Sequence, residues 1–276
     1  MELETLEGKN EIVEGILTCK VCNARYPIIS SIPILIKDLS SYFSIRTKLG
    51  GYLMLHAKSK AIRSIIKKSL KGIKKVHEDT TDLEARWVKT YKNSSKTVLE
   101  RKIQKIIQKL PCCNLVLEHG CSIGTVSEML SRKNSHVFGI DKSFYALVEA
   151  KKRKIKNCDF VLADSLSSPF VIDFDIVVAL NVLELIEPVE LLETISKQSS
   201  RFVILSDPYD YERGKKSVKV RLDEKSLRKN LVRMGFAMMH GTKKPSFIPW
   251  NLIVNPRLEL HYKVDLILAR KIKFIV

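Results

Sequence analysis

From Asn114 onward the chain alternates short runs of branched apolar residues with stretches in which apolar positions return every three or four residues. The first pattern suits a buried strand and the second a helix packed on a sheet, so together they predict a doubly wound α/β sheet. Seven strands are predicted, mostly parallel, at 115–118, 136–141, 160–163, 175–180, 201–206, 236–241 and 258–269. No helical pattern separates the last two, which predicts an antiparallel terminal hairpin. Upstream, Ile62, Ile65, Ile66, Leu70 and Ile73 recur at helical spacing, with Lys60, Arg63, Lys67, Lys68, Lys71, Lys74 and Lys75 on the other faces. Leu99, Ile103, Ile106, Ile107 and Leu110 repeat that arrangement beside Arg101, Lys102, Lys105 and Lys109, until Pro111 ends the helix. Near the N-terminus, β-rich runs at 15–19 and 24–29 flank a Cys19-x-x-Cys22 turn and are followed by a third run at 32–36. The pattern divides the chain into a small β unit (1–40), a basic helical segment (41–110) and an α/β domain (111–276).

Composition changes this picture in two ways. The chain has 276 residues, 45% of them hydrophobic, yet no long uncharged apolar stretch, so no membrane span is expected. The acidic start, Met1-Glu2-Leu3-Glu4, lacks the basic and apolar features of a secretory signal, and a cytoplasmic protein is expected. Charge is less ordinary, because 48 lysines and arginines face 30 acids, a net charge of +18. A field of that sign attracts anionic partners such as RNA or acidic membranes, and a solvated lysine-rich surface is the equally weighted alternative.

The chemistry concentrates around Val116-Leu117-Glu118-His119-Gly120-Cys121-Ser122-Ile123-Gly124. An apolar strand ending in an acid, then glycines opening a helix, lets backbone pass close to a ligand at a sheet's carboxyl edge. Asp141 closes the second strand about 20 residues on, where a carboxylate can accept from both hydroxyls of a ribose. Asp164 follows the third strand and Asn181-Val182-Leu183-Glu184 the fourth. These elements resemble class I S-adenosylmethionine-dependent methyltransferases, with Ser122 where that family most often has glycine and Leu185 where its segment usually has histidine. The terminal hairpin separates this reading from a nicotinamide-binding dehydrogenase. The resemblance implies S-adenosylmethionine as cofactor, held by Glu118, Gly120, Ser122, Gly124, Asp141, Asp164 and Asn181.

The first forty residues resemble half of the zinc-ribbon-like activator subunit of tRNA and release-factor methyltransferases, through Cys19-x-x-Cys22, Tyr26-Pro27-Ile28 and Ile32-Pro33. Structural zinc wants four ligands and Cys19 with Cys22 supply two. A metal-free remnant is preferred over a site completed by Cys112 and Cys113 or by a second subunit, and over a loosely occupied one.

Methyl transfer needs positioning of two reactants, and a base only where the acceptor must lose a proton. Candidates at the carboxyl edge are Asp207 and Tyr209, with His261 in the last strand. Phe247 and Trp250 either wall an acceptor pocket or pack as core under a loop. The Asn181 segment favours a small-molecule or protein acceptor, and Asp207-Pro208-Tyr209 with Pro245–Trp250 faintly resembles enzymes that methylate an imidazole. RNA methylation through the basic helices is one alternative, and a non-catalytic binding partner is another. The sequence leaves the oligomeric state open.

Overall fold

The structure, a computed structural model, describes residues 1–8, 11–215, 217–239 and 241–272. An antiparallel sheet comes first, made of β1 (Glu2–Glu7), β2 (Glu14–Thr18), β3 (Arg25–Ile29) and β4 (Ile32–Pro33). Five helices follow: α1 (Leu39–Ser44), α2 (Thr47–His56), α3 (Lys60–Lys71), α4 (Thr81–Asn93) and α5 (Val98–Lys109). The last starts at a capping box, in which Thr97 accepts from the Glu100 amide and Glu100 accepts from the Thr97 amide.

Strands and helices then alternate as β5 (Leu115–His119), α6 (Thr125–Ser131), β6 (His136–Asp141), α7 (Phe144–Lys151), β7 (Cys158–Leu162), β8 (Phe174–Leu180), α8 (Pro188–Gln198) and β9 (Ser199–Asp207). The chain ends with α9 (Glu224–Arg233), β10 (Phe236–Met238), β11 (Ile248–Asn255) and β12 (Leu258–Lys271). The main sheet runs β10-β12-β9-β8-β5-β6-β7. The pairs β7–β6, β6–β5, β5–β8 and β8–β9 are parallel, whereas β12 is antiparallel to both β9 and β10. This is the mixed α/β sheet the patterning predicts.

Two strands lie outside the prediction. With β11 the main sheet has eight strands rather than seven, and β11 pairs only with β12, along Ile248↔Val264 to Asn255↔Leu258. The terminal hairpin is therefore built mainly by β11 and β12. The predicted strand at 236–241 shortens to Phe236–Met238, and His240 lies outside the described residues. At the N-terminus β1 pairs with β2 although its sequence is largely acidic. Leu3 and Thr5 are exposed on this outer strand and only Leu6 packs against the core, so no apolar alternation marks it in the sequence.

Strand residues alternate between two cores, as the pleat requires. Val116, Val178 and Ile204 face the layer that contains α5, α6, α7 and the N-terminal elements. Leu117, Val177 and Leu205 face Leu191, Leu192 and Ile195 of α8 and Leu227 and Leu231 of α9. The N-terminal sheet shares the first core through Ile16, Ile29 and Ile32, and the Leu35 amide donates to the Leu162 carbonyl of β7 at 2.8 Å. No helix among the described residues is long and apolar enough to cross a membrane.

Candidate active site

Parallel strands β5, β6, β7, β8 and β9 deliver their C-terminal ends to one edge of the sheet. There the backbone repeatedly enters the left-handed region, at Gly120 (φ 68°), Ser122 (φ 48°), Gly124 (φ 73°), Asn181 (φ 54°) and Tyr209 (φ 57°). Non-glycine residues in that region store strain, and such strain concentrates at functional edges. At Gly120 a Cβ would lie 2.5 Å from Val182 Cγ2, and at Gly124 it would lie 2.7 Å from Phe160 Cζ. Both turns thus require glycine for conformation and for space.

Asp141 organises this turn. Its Oδ2 accepts from the Ser122 amide at 2.8 Å and its Oδ1 from the Ser143 amide at 2.7 Å. Burial raises its pKa, against these amide hydrogen bonds and the positive charge of Arg46. Asn181 is held from the neighbouring strand, its amide donating to the Ser206 carbonyl at 2.7 Å and its Oδ1 accepting from the Ser206 hydroxyl at 2.8 Å. Asp164 sits further out, accepting from the Leu166 amide at 3.0 Å and pairing with Lys142 at 2.9 Å. Glu118 is buried and points beneath α6, where it accepts from the Ser127 hydroxyl. Desolvation pushes its carboxyl up to about 8.

A second group of side chains lies over the ends of β8 and β9. Asp207 is fully buried; its Oδ2 accepts from the Tyr209 amide at 3.2 Å, while its Oδ1 has no hydrogen-bond partner among the described residues. Desolvation first, then the nearby Glu184 charge, raises it to about 8. Glu184 is also buried and raised to about 7 by desolvation, against the pull of the Arg213 guanidinium with which it pairs. Tyr209 donates its hydroxyl to Asp265 at 3.0 Å, and burial raises its pKa strongly. Asp265 is held bidentately by Arg228, at 2.6 and 3.0 Å.

Residues 116–201 match a family described as a methyltransferase domain. The matched segment runs from β5 into β9 and contains the turn at Gly120–Gly124 together with Asp141, Asp164 and Asn181. The fold agrees with magnesium protoporphyrin IX methyltransferase from Synechocystis with bound SAH, which is 18% identical over 70% of this chain and 95% of that one, at a TM-score of 0.52. It agrees equally with the N-methyltransferase NodS from Bradyrhizobium japonicum in complex with S-adenosylhomocysteine, 15% identical over 70% of this chain and 98% of that one, TM-score 0.52. Likeness at these identities is a likeness of fold. No curated protein matches the chain in sequence.

Each Asp141 oxygen has spent one acceptor site on an amide and retains another for a hydroxyl. The missing Cβ atoms at Gly120 and Gly124 let Val182 and Phe160 pack directly against the turn. Not every residue flagged in the sequence converges here. His261 lies on the exposed part of β12, 3.7 Å from Glu259, and Phe247 is 67% exposed. Trp250 by contrast is buried, stacked near Tyr91 and Tyr262. Sequence reasoning missed Tyr91, Trp87 and Arg213, which come from α4 and from the loop after β9 and meet only through the fold. Cys19 and Cys22 stand on the β2–β3 turn as free thiols, and no group of three or more metal-ligating side chains forms among the described residues.

The buried carboxyls set a pH dependence of stability. An unfolded glutamate ionises near pH 4.3, whereas Glu118 in the folded chain holds its proton to about 8. Between those values the folded state binds more protons than the unfolded state, so stability falls as pH rises. Glu118→Gln, which keeps a polar group beside Ser127, is expected to flatten the fall in melting temperature between pH 5.5 and 8.5 by several degrees, at about 2–4 °C per kcal/mol. Thermal unfolding at the two pH values reads this directly, and parallel slopes for the variant and the parent chain would refute it.

Proposed function

We propose that this chain transfers the methyl group of S-adenosylmethionine to a nitrogen of a small molecule or of a protein side chain. Gly120, Ser122, Gly124, Asp141, Asp164 and Asn181 would hold the donor, with Glu118 bracing the turn from below. Residues 41–110 cover the site and residues 111–276 form the catalytic domain. The observation that carries the reading is the pair of buried carboxyls, Glu184 and Asp207, at the end of β8 and β9, with Asp207 Oδ1 lacking a donor. A buried acceptor atom without a partner is costly unless a ligand supplies the hydrogen, and an acceptor N–H supplies it. Asp207, raised to about 8, is in its ionised form a stronger base than an ordinary carboxylate and can take a proton from that nitrogen. The N-terminal β unit is read as a metal-free remnant of the activator-type frame, with Cys19 and Cys22 as free thiols.

One observation favours RNA as a second reading. A cavity of about 620 Å³ flanks the cofactor turn at Ile123 and Thr125 and is lined by Lys92, Lys96, Arg101, Arg132 and Arg153 against Glu100 and Glu128. Incubating the protein with tritium-labelled donor and cell extract, then treating fractions with ribonuclease or protease, separates the two. Label that survives ribonuclease is expected. Label lost with RNA would transfer the assignment to the second reading.

A further inference from the structure

Arg213 occupies an unusual place for an arginine on a connecting loop. Its side chain is only 12% exposed, and its guanidinium carbon lies 4.7 Å from the centroid of the Trp87 ring and 5.9 Å from those of Trp250 and Tyr262. Its Nη2 donates to the Tyr91 hydroxyl at 3.4 Å, and its Nη1 pairs with Glu184. The rings adjoin one another: Trp87 is 5.8 Å from Tyr91, Tyr91 is 6.4 Å from Trp250 at an interplanar angle of 15°, and Trp250 is 5.4 Å from Tyr262. Four aromatic side chains with a carboxylate beside them form a box that attracts a planar cation through ring quadrupoles and charge. Glu184 links the box to Asp207, for it pairs with Arg213 and its charge also acts on the Asp207 carboxyl.

We propose that this box is the acceptor head-group pocket, that it recognises a guanidinium or imidazolium group, and that Arg213 is its resident stand-in, displaced when the acceptor enters. The inference rests on the methyl-transfer reading above. Gly214 lets the loop backbone pass close to Glu184, since a Cβ there would lie 1.9 Å from the Glu184 carbonyl oxygen. Exchange breaks the Arg213 contacts with Glu184 and Tyr91, and the incoming cation takes up the same partners. Once the acceptor is seated, one N–H proton passes to the Asp207 carboxylate, leaving a neutral nitrogen with a lone pair. That nitrogen forms a bond to the methyl carbon as the sulfur–methyl bond breaks, and the bonding pair remains on sulfur. The products are an N-methylated cation, the neutral thioether and a protonated Asp207, which returns its proton to solvent.

Two measurements test the proposal on the full chain. Trp87 and Trp250 are the only two tryptophans, so intrinsic fluorescence reports on the box. Titration with guanidinium or imidazolium chloride, against sodium chloride at equal ionic strength, is expected to show at least about tenfold tighter binding to Arg213→Ala than to the parent chain, because the stand-in no longer competes. Arg213→Gln provides a second variant should the alanine form fold poorly, with the same direction expected. Equal binding of sodium and of the planar cations by both variants would overturn the proposal. In the extract assay, label recovered on a guanidino or an imidazole nitrogen supports it and tells the two head groups apart. Label on oxygen, sulfur or an uncharged nitrogen overturns it while leaving methyl transfer intact. Absence of all label, together with no calorimetric binding of S-adenosylhomocysteine, would overturn the methyl-transfer reading itself.

Discussion

Replacing Asp141 by Ala is expected to weaken binding of S-adenosylhomocysteine by about 100-fold or more, measured by calorimetry. The carboxylate holds both the Ser122 and the Ser143 amides, so its loss frees the turn as well as removing acceptors for a ribose. Hydrogen bonds to charged groups contribute about 1.5–3 kcal/mol each, and two of them give a factor of that size, since about 1.4 kcal/mol is tenfold. Asp164→Ala is the internal comparison. Asp164 is partly exposed and already paired with Lys142, so a change of about tenfold or less is expected there. An Asp141 variant that binds within threefold of the parent chain would remove this residue from the cofactor site.

The largest expected loss of stability comes from Asp265→Ala. Arg228 grips Asp265 with two donors, while Tyr209, the Ser246 amide and the Ser246 hydroxyl also donate to it. Both partners of the ion pair are buried, at 11% and 2% side-chain exposure. Removing one partner leaves the other charge stranded, which costs about 3–5 kcal/mol and so about 6–20 °C of melting temperature at about 2–4 °C per kcal/mol. Asp265→Asn, which retains acceptors for Tyr209 and Ser246, should lose less. Tyr209 would also be released from its left-handed conformation, so methyl transfer should fall in the alanine variant even well below its melting temperature. A loss under about 1 kcal/mol in urea or thermal unfolding would show that the pair contributes little.

The turn between β5 and α6 was legible because its requirements are local. Gly120, Gly124 and Asp141 answer to turn geometry, close packing and a strand end, and each leaves a mark within a few residues. The parallel strands were legible for the same reason, since burial on both faces writes continuous apolar runs such as Val116–Leu117 and Ile176–Val177–Val178. By contrast, β11 carries Pro249, Asn251 and Asn255 among its apolar residues, and only its pairing with β12 makes it a strand. The cluster around Arg213 was least legible. Trp87 and Tyr91 on α4, Glu184 after β8, Arg213 after β9 and Trp250 on β11 are far apart in sequence, and nothing local in Arg213 says that it is enclosed by rings. His261 shows the reverse error, a titratable residue at an attractive register position whose side chain faces solvent.

The hydrogen bond from the Leu35 amide to the Leu162 carbonyl has a meaning beyond joining two sheets. It places the chain's own backbone against β7, the outer strand at that end of the main sheet. On β11 the Ile253 amide is taken by the Ser94 hydroxyl at 2.7 Å, and Pro249 has no amide hydrogen to offer. At the opposite end β10 spans only three residues. Strand edges recruit other molecules by offering unpaired backbone groups in a long row. These edges are covered, interrupted or short, so the fold discourages aggregation by strand addition, and its charge of +18 adds mutual repulsion between copies.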